Sequence, residues 1–162
     1  MEKITAPVEM ACKRSIVVGI GNPLLKDDRV GIEVVEALQA KGTAVETAIL
    51  YSAGFDLIEA IMGYDEAVIV DACQIGMTPG TILETTPEEL SDRHILINAH
   101  VFNLAATLQT GRRHFPDRMP KKLKIIMVQV EDVSTFSTKC TPVVCHAIQD
   151  VVALINPGIA SG

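Results

Sequence analysis

Hydrophobic and polar positions along the chain follow two alternating patterns. Short and nearly continuous apolar runs, such as those at 16–18 and 67–70, predict strands that are buried on both faces of a sheet. Longer segments between them place apolar residues three and four positions apart, which predicts amphipathic helices. The predicted strands are Ser15–Ile20, Val45–Leu50, Ala67–Asp71, Thr81–Glu84 and Leu123–Val130. The predicted helices are Val30–Lys41, Phe55–Met62, Ala99–Thr110 and Pro142–Ile155.

The regular alternation of strands with helices determines the predicted fold class. Such a chain typically forms a parallel sheet with helices on its faces. We therefore predict an α/β fold: a single-domain three-layer sandwich in which helices cover both faces of a twisted, mostly parallel five-stranded sheet. The domain is expected to span residues 15–156, between an N-terminal lead-in of residues 1–14 and a C-terminal tail of residues 157–162.

Composition excludes several classes of function. The chain has 162 residues, of which 48% are hydrophobic, and a formal net charge of −6, which argues against a nucleic-acid partner. The charged residues within 1–14, and the lack of an apolar run of about 18 residues, argue against a signal peptide or membrane insertion. The four cysteines (Cys12, Cys73, Cys140 and Cys145) form no C-x-x-C pair. We expect reduced thiols in a cytoplasmic protein.

The segment GIGNPLLKDDRVG, Gly19 to Gly31, is the first candidate for chemistry. Its pattern predicts a strand, a glycine turn, a loop and the start of a helix. A nucleotide-binding turn would be unfavourable here, because Asp27 and Asp28 would repel phosphate and the third glycine of the dinucleotide fingerprint is displaced. One aspartate is expected to cap the helix that starts near Val30, and the other is available to bind a cation.

Two further residues are candidates for the same site. Asp71 ends a buried apolar strand, where ligands of open α/β sheets bind, although a loop acceptor or helix cap is the simpler role. His100 opens a predicted helix, and a structural histidine is the alternative there. Together, Asp28, Asp71 and His100 would supply two oxygens and one nitrogen. This donor set suits nickel or zinc and leaves coordination positions for water or substrate.

Three motifs together resemble the hydrogenase maturation endopeptidases. They are GIGNPLLKDDRVG, VDACQIGMTPGTI at Val70–Ile82, and NAHVFNLAATL at Asn98–Leu108, and they occur in the order found in that family. The resemblance implies a helix-covered twisted sheet. It also implies a protease that removes the C-terminal extension from the large-subunit precursor of [NiFe] hydrogenase after nickel has been inserted.

The resemblance also implies roles for individual residues. The family's catalytic and metal-binding positions fall on Asp28, Asp71 and His100, while Asp27 matches an acidic position that is not a ligand. Nickel is expected to arrive with the precursor, which is the expected partner, and zinc or cadmium is expected to substitute in vitro. One departure concerns substrate preference, because the family's D-G-G-T-type segment is replaced by Tyr51-Ser-Ala-Gly54.

Two alternatives remain open from the sequence. The first is a non-catalytic metal-binding chaperone, which would bind the precursor during hydrogenase assembly without cutting it. The second concerns a basic cluster, which is either a solvated surface or a docking patch for the precursor. The members of this basic cluster are Arg112, Arg113, His114, Arg118, Lys121, Lys122 and Lys124.

Overall fold

The structure, a computed structural model, describes residues 12–92 and 99–159, with the backbone alone at 92, 99, 100 and 157–159. The strands are β1 (Ser15–Ile20), β2 (Glu46–Leu50), β3 (Glu66–Cys73), β4 (Ile82–Thr85) and β5 (Lys122–Gln129). The helices are α1 (Val30–Ala40), α2 (Phe55–Ile61), α3 (Pro87–Asp92), α4 (Ala99–His114) and α5 (Pro142–Ile159).

The five strands form one sheet in the order β2-β1-β3-β5-β4. Pairing is parallel throughout except between β4 and β5, which run antiparallel. The predicted mostly parallel, five-stranded sheet is therefore confirmed. The sequence pattern missed α3, because this short helix contributes only one fully buried apolar side chain, Leu90, to the core.

Helices cover both faces of the sheet, and each face has its own apolar core. One core joins side chains of β1, β3 and β5 to α2, α3 and α4, and includes Ile69, Leu104 and Ile125. The other joins the opposite faces of the same strands to α1 and α5. The three predicted layers are thus present. Within residues 12–92 and 99–159, no helix is both long and apolar enough to cross a membrane.

The glycines of the first motif allow the backbone to pack closely around the end of β1. A Cβ atom added at Gly31 would lie 2.3 Å from the Ile20 carbonyl oxygen and 2.5 Å from that of Val70. One added at Gly21 would lie 2.2 Å from the Asp28 carbonyl oxygen. Because only glycine leaves room for these approaches, α1 and the loop before it lie directly against β1 and β3.

The end of β3 differs from the prediction in a way that affects the site. Asp71 was expected to end the strand, but β3 continues to Cys73. The reason is that β5 pairs with β3 as far as Cys73↔Gln129, whereas the pairing of β1 with β3 ends at Gly19↔Val70. Asp71 therefore lies inside β3, in the stretch that extends past its pairing with β1.

Candidate active site

Asp71 faces the layer formed by α2 and α4. Side chains alternate along a strand, so Asp71 lies on the same face of β3 as Ile69 and Cys73, both of which belong to the core on that side. Asp71 is 4% exposed, and its Oδ1 accepts a hydrogen bond from the Ala72 N–H at 2.8 Å. The alternative role as a helix cap is wrong, since Asp71 lies inside a strand.

The surroundings of Asp71 favour its neutral form. The pKa of the Asp71 carboxyl is raised to about 8, mainly by burial and to a smaller extent by the negative charge of Asp28, while the hydrogen bond from the Ala72 N–H opposes both effects. An acidic group with such a pKa exchanges its proton near neutral pH. A cation between the two carboxylates would reverse the repulsion and favour the ionised form of both.

Asp28 lies in the loop between β1 and α1 and is half-buried. It lines a cavity of about 530 Å³ together with Asp71, and it also borders a smaller cavity of about 100 Å³ near Cys73. The structure therefore brings Asp28 and Asp71 to the wall of one cavity. Two carboxylates beside an open cavity fit the oxygen-donor chemistry that a divalent cation requires.

Asp27 has a structural role in the same loop. Its side chain is fully buried and accepts hydrogen bonds from the N–H groups of Glu131, Asp132 and Thr141, and from the Thr141 hydroxyl. The expectation that one of the two aspartates caps α1 is wrong for Asp27, because its carboxylate joins the β1–α1 loop to the β5–α5 loop. Arg29 is the N-cap residue of α1, and it makes no side-chain capping hydrogen bond.

The described part of the chain places the backbone of His100 but not its side chain. Residue 100 lies in the first turn of α4. Asn103 and Thr107 of the same helix line the larger cavity, and helical spacing puts position 100 one turn before Asn103. Among the side chains described, no group of three or more His, Cys, Asp and Glu residues is arranged to hold a metal. The third ligand therefore stays a prediction.

The remaining residues with reactive side chains either lie away from the carboxylates of Asp28 and Asp71 or are unreactive. Burial raises the pKa of the Cys73 thiol to about 12, which agrees with its expected role as a small buried hydrophobe. His114 and His146 are exposed on α4 and α5, and His94 lies outside the described residues. None of the histidines with described side chains lines the larger cavity.

The basic cluster lies at the opposite edge of the sheet. Lys122 and Lys124 belong to the N-terminal end of β5, whereas the two carboxylates lie beyond the C-terminal end of β1. Three members of the cluster form ion pairs: Arg112 with Glu88, Lys122 with Glu66, and Lys124 with Glu84. These pairs neutralise part of the cluster, which favours the solvated-surface interpretation.

One wall of the larger cavity comes from a loop that the sequence linked only with substrate preference, through the family resemblance, and the other comes from α4 residues that the sequence did not single out. The loop after β2 supplies one wall, and one face of α4 supplies the other. The available signal was the position of the loop, because it follows the C-terminal end of the strand beside β1. The lining residues are Tyr51, Ser52, Ala53 and Gly54 of the loop, Phe55 and Ile58 of α2, which follows the loop directly, and Asn103, Ala106, Thr107 and Thr110 of α4.

Comparison with known proteins gives a consistent assignment. The family model described as hydrogenase maturation protease matches residues 32–157, a range that includes Asp71 and His100. The hydrogenase 2 maturation protease of Escherichia coli (strain K12) is 32% identical over 125 residues, which span 74% of this chain and 75% of that protein.

Solved structures agree with this result. The hydrogenase maturating endopeptidase HybD from E. coli superposes with a TM-score of 0.72 at 26% identity, covering 91% of this chain and 92% of that chain. The fold is also that of the [NiFe] hydrogenase maturation protease HybD from Thermococcus kodakarensis, with a TM-score of 0.75 at 20% identity over 90% and 99% of the two chains. From the family-model match and the identity to the E. coli protease, the chain belongs to the hydrogenase maturation protease family.

Proposed function

We propose that this chain is an endopeptidase that removes the C-terminal extension from the large-subunit precursor of a [NiFe] hydrogenase once nickel has been inserted. The observation that carries the proposal is that Asp28 and Asp71 line one cavity together with Asn103 and Thr107 of α4. In this proposal the nickel ion is part of the substrate, because it arrives already bound to the precursor.

The carboxylates recognise the metal through their charge. Without a cation, burial and the charge of Asp28 keep Asp71 largely protonated at neutral pH. Approach of the precursor's nickel favours loss of this proton, and Asp28 and Asp71 then offer oxygen ligands to the ion. A precursor that carries no metal cannot drive this ionisation. Selection for loaded precursor thus follows from the electrostatics of two neighbouring carboxylates.

Shared coordination would also place the scissile peptide. Once enzyme and precursor share the nickel, a peptide bond next to the precursor's metal-binding residues is held at the cavity. Hydrolysis of that bond then proceeds as an effectively unimolecular step within the complex. Hydrolysis then needs a polarised carbonyl group and an activated water. The nickel, or a carboxylate beside it, would polarise the carbonyl or activate the water. His100 completes the proposed ligand set.

The test is to mix the purified protein with the unprocessed large subunit, either nickel-loaded or nickel-free, and to measure the intact mass of the product. Loss of a C-terminal peptide from the nickel-loaded form alone supports the proposal. Binding of the loaded precursor without a change in its mass would instead support the metal-binding chaperone. Equal cleavage of both forms would contradict metal recognition.

A further inference from the structure

The cavity at the two carboxylates continues as a groove along α4. Asn103, Thr107 and Thr110 line it from a single face of the helix. Since α-helices rise about 1.5 Å per residue, this stretch is about 10 Å long. An extended peptide advances about 3.3 Å per residue, so the groove accommodates roughly three residues beyond the carboxylates.

The wall opposite α4 is held in place by direct contacts with α4 and with Phe115, the residue that follows this helix. The Thr107 hydroxyl donates a hydrogen bond to the Ala53 carbonyl oxygen at 2.7 Å, which joins the loop after β2 to α4. The Phe55 ring meets Phe115 edge-on, with 6.4 Å between ring centroids. Ile58 also lines the cavity and is 1% exposed. The groove is therefore formed before any ligand binds, so little ordering opposes binding.

Two aromatic side chains on this wall are exposed. Tyr51 is 71% exposed and Phe55 is 59% exposed, although both border the cavity. Exposed aromatic groups beside a preformed groove are typical of binding surfaces, where they become buried against a partner. On the facing wall, the side-chain amide of Asn103 forms no hydrogen bond with any residue that the structure describes. It has both a donor and an acceptor to offer.

Charge is confined to one end of the groove. The lining groups described along its walls are aromatic, aliphatic, hydroxyl and amide side chains, and Asp28 and Asp71 are the acidic groups at its end. An uncharged segment matches such walls, whereas an acidic segment would be repelled by the carboxylates and would lose hydration without an ion partner.

We propose that this groove binds about three uncharged residues of the precursor's C-terminal extension in an extended conformation, with Tyr51 and Phe55 contacting an apolar side chain and Asn103 hydrogen-bonding the peptide backbone. This inference rests on the proposed function. In the proposed function, the residues before the cut carry the nickel and are held at the carboxylates, so the segment that lies along the groove is the extension. Tyr51, Phe55 and Asn103 are then the residues that determine substrate preference.

The test measures both binding and cleavage of nickel-loaded precursor by Tyr51→Ala and Asn103→Ala. The matched control is Phe102→Ala, since Phe102 also lies on α4, is 63% exposed and does not line the cavity. Loss of one such contact is expected to weaken binding and raise KM about tenfold, while kcat changes by less than about twofold. A precursor with glutamate at the three positions after the cut should show a similar rise in KM with the unaltered enzyme.

Each result has a distinct meaning. Unchanged precursor binding in both groove variants, or an equal loss of binding in Phe102→Ala, would contradict the proposal that the groove binds the extension. Full cleavage of the glutamate-containing precursor at unchanged KM would overturn it as well. If the unaltered protein binds loaded precursor, loses this binding in Tyr51→Ala and never cuts the precursor, the result supports binding in the groove and contradicts the proposed protease function.

Discussion

Asp27 and Thr141 are joined by two hydrogen bonds across 114 positions of the chain. The Thr141 N–H donates to Asp27 Oδ1 at 2.7 Å, and the Thr141 hydroxyl donates to Oδ2 at 3.0 Å. Glu131 and Asp132 also donate their N–H groups to Oδ2. The β1–α1 loop that carries Asp28 is therefore tied to the loop that leads into α5, and the position of Asp28 depends on its neighbour.

Replacement of Asp27 by asparagine should reduce stability. The new amide group would turn N–H donors toward the backbone N–H groups that now point at a carboxylate, and about 2–3 kcal/mol of unfolding free energy should be lost. Urea unfolding measures this loss. Thr141→Val, which removes the hydroxyl donor alone, should cost about 1 kcal/mol. Cleavage by folded Asp27→Asn should fall much less than cleavage by Asp71→Asn. Unchanged stability would contradict the described network.

Asp71→Asn should abolish processing and yet stabilise the metal-free protein above neutral pH. Because the folded-state pKa of Asp71 is raised from 3.8 to about 8, the folded state holds this proton more tightly than the unfolded state. The unfolding free energy that Asp71 contributes is therefore lost as the pH rises between those values. The asparagine side chain does not titrate. At pH 8 the unfolding free energy of the variant should therefore exceed that of the unaltered protein by on the order of a few kcal/mol.

The measurement for Asp71 is a series of urea unfolding curves at pH 4, 6 and 8. The stability difference should be smallest at pH 4 and largest at pH 8. Asp132→Asn serves as a control with the opposite dependence, since hydrogen bonds from Thr135 lower the pKa of Asp132 to about 2. Its loss of stability should be present at pH 6 and should be clearly smaller in an added unfolding curve at pH 3. A parallel pH profile for both variants would contradict the electrostatics described for Asp71.

Gly21→Ala should displace the loop that carries Asp28. The added methyl group would lie 2.2 Å from the Asp28 carbonyl oxygen, so the backbone there must move. We expect a loss of about 1–3 kcal/mol in stability together with a large loss of cleavage. Gly42→Ala is the control. An added Cβ atom there meets no atom within 4 Å, so the substitution adds only the backbone strain of a φ of 70° and should leave cleavage unchanged. Normal cleavage by Gly21→Ala would mean that the loop does not position Asp28.

Charge reversal in the basic cluster should leave precursor binding unchanged. Arg118→Glu and Lys121→Glu alter the edge of the sheet at the start of β5, far from the two carboxylates. Binding measured at low and moderate salt should match that of the unaltered protein. A marked fall in binding that disappears at high salt would identify the cluster as a docking patch.

The sequence predicted the sheet and the main helices because their residues repeat with clear periods. Buried strands such as β1 have nearly continuous apolar runs, and α1 and α5 have apolar faces. It also predicted that Asp28 and Asp71 meet. Asp28 follows β1, Asp71 lies near the C-terminal end of β3, and the C-terminal ends of parallel strands lie at the same edge of a sheet. These expectations depend on local patterns and on one general rule of α/β architecture.

What the sequence did not predict depends on contacts between distant segments. The partners of Asp27 lie 104 to 114 positions away, and no local pattern distinguishes its role from that of Asp28. The extension of β3 past Asp71 is determined by pairing with β5. Likewise, Tyr51 and Asn103 face a common groove only because α4 packs beside the loop after β2.

The most direct test of the account compares Asp28→Asn with Asp28→Glu on nickel-loaded and nickel-free precursor, with the products read by intact mass. Our account predicts that the unaltered protein and Asp28→Glu cut the loaded precursor alone, because both keep a carboxylate beside Asp71. Folded Asp28→Asn should cut neither form. Cleavage of loaded precursor by Asp28→Asn at the unaltered rate would contradict the claim that this carboxylate pair recognises the metal.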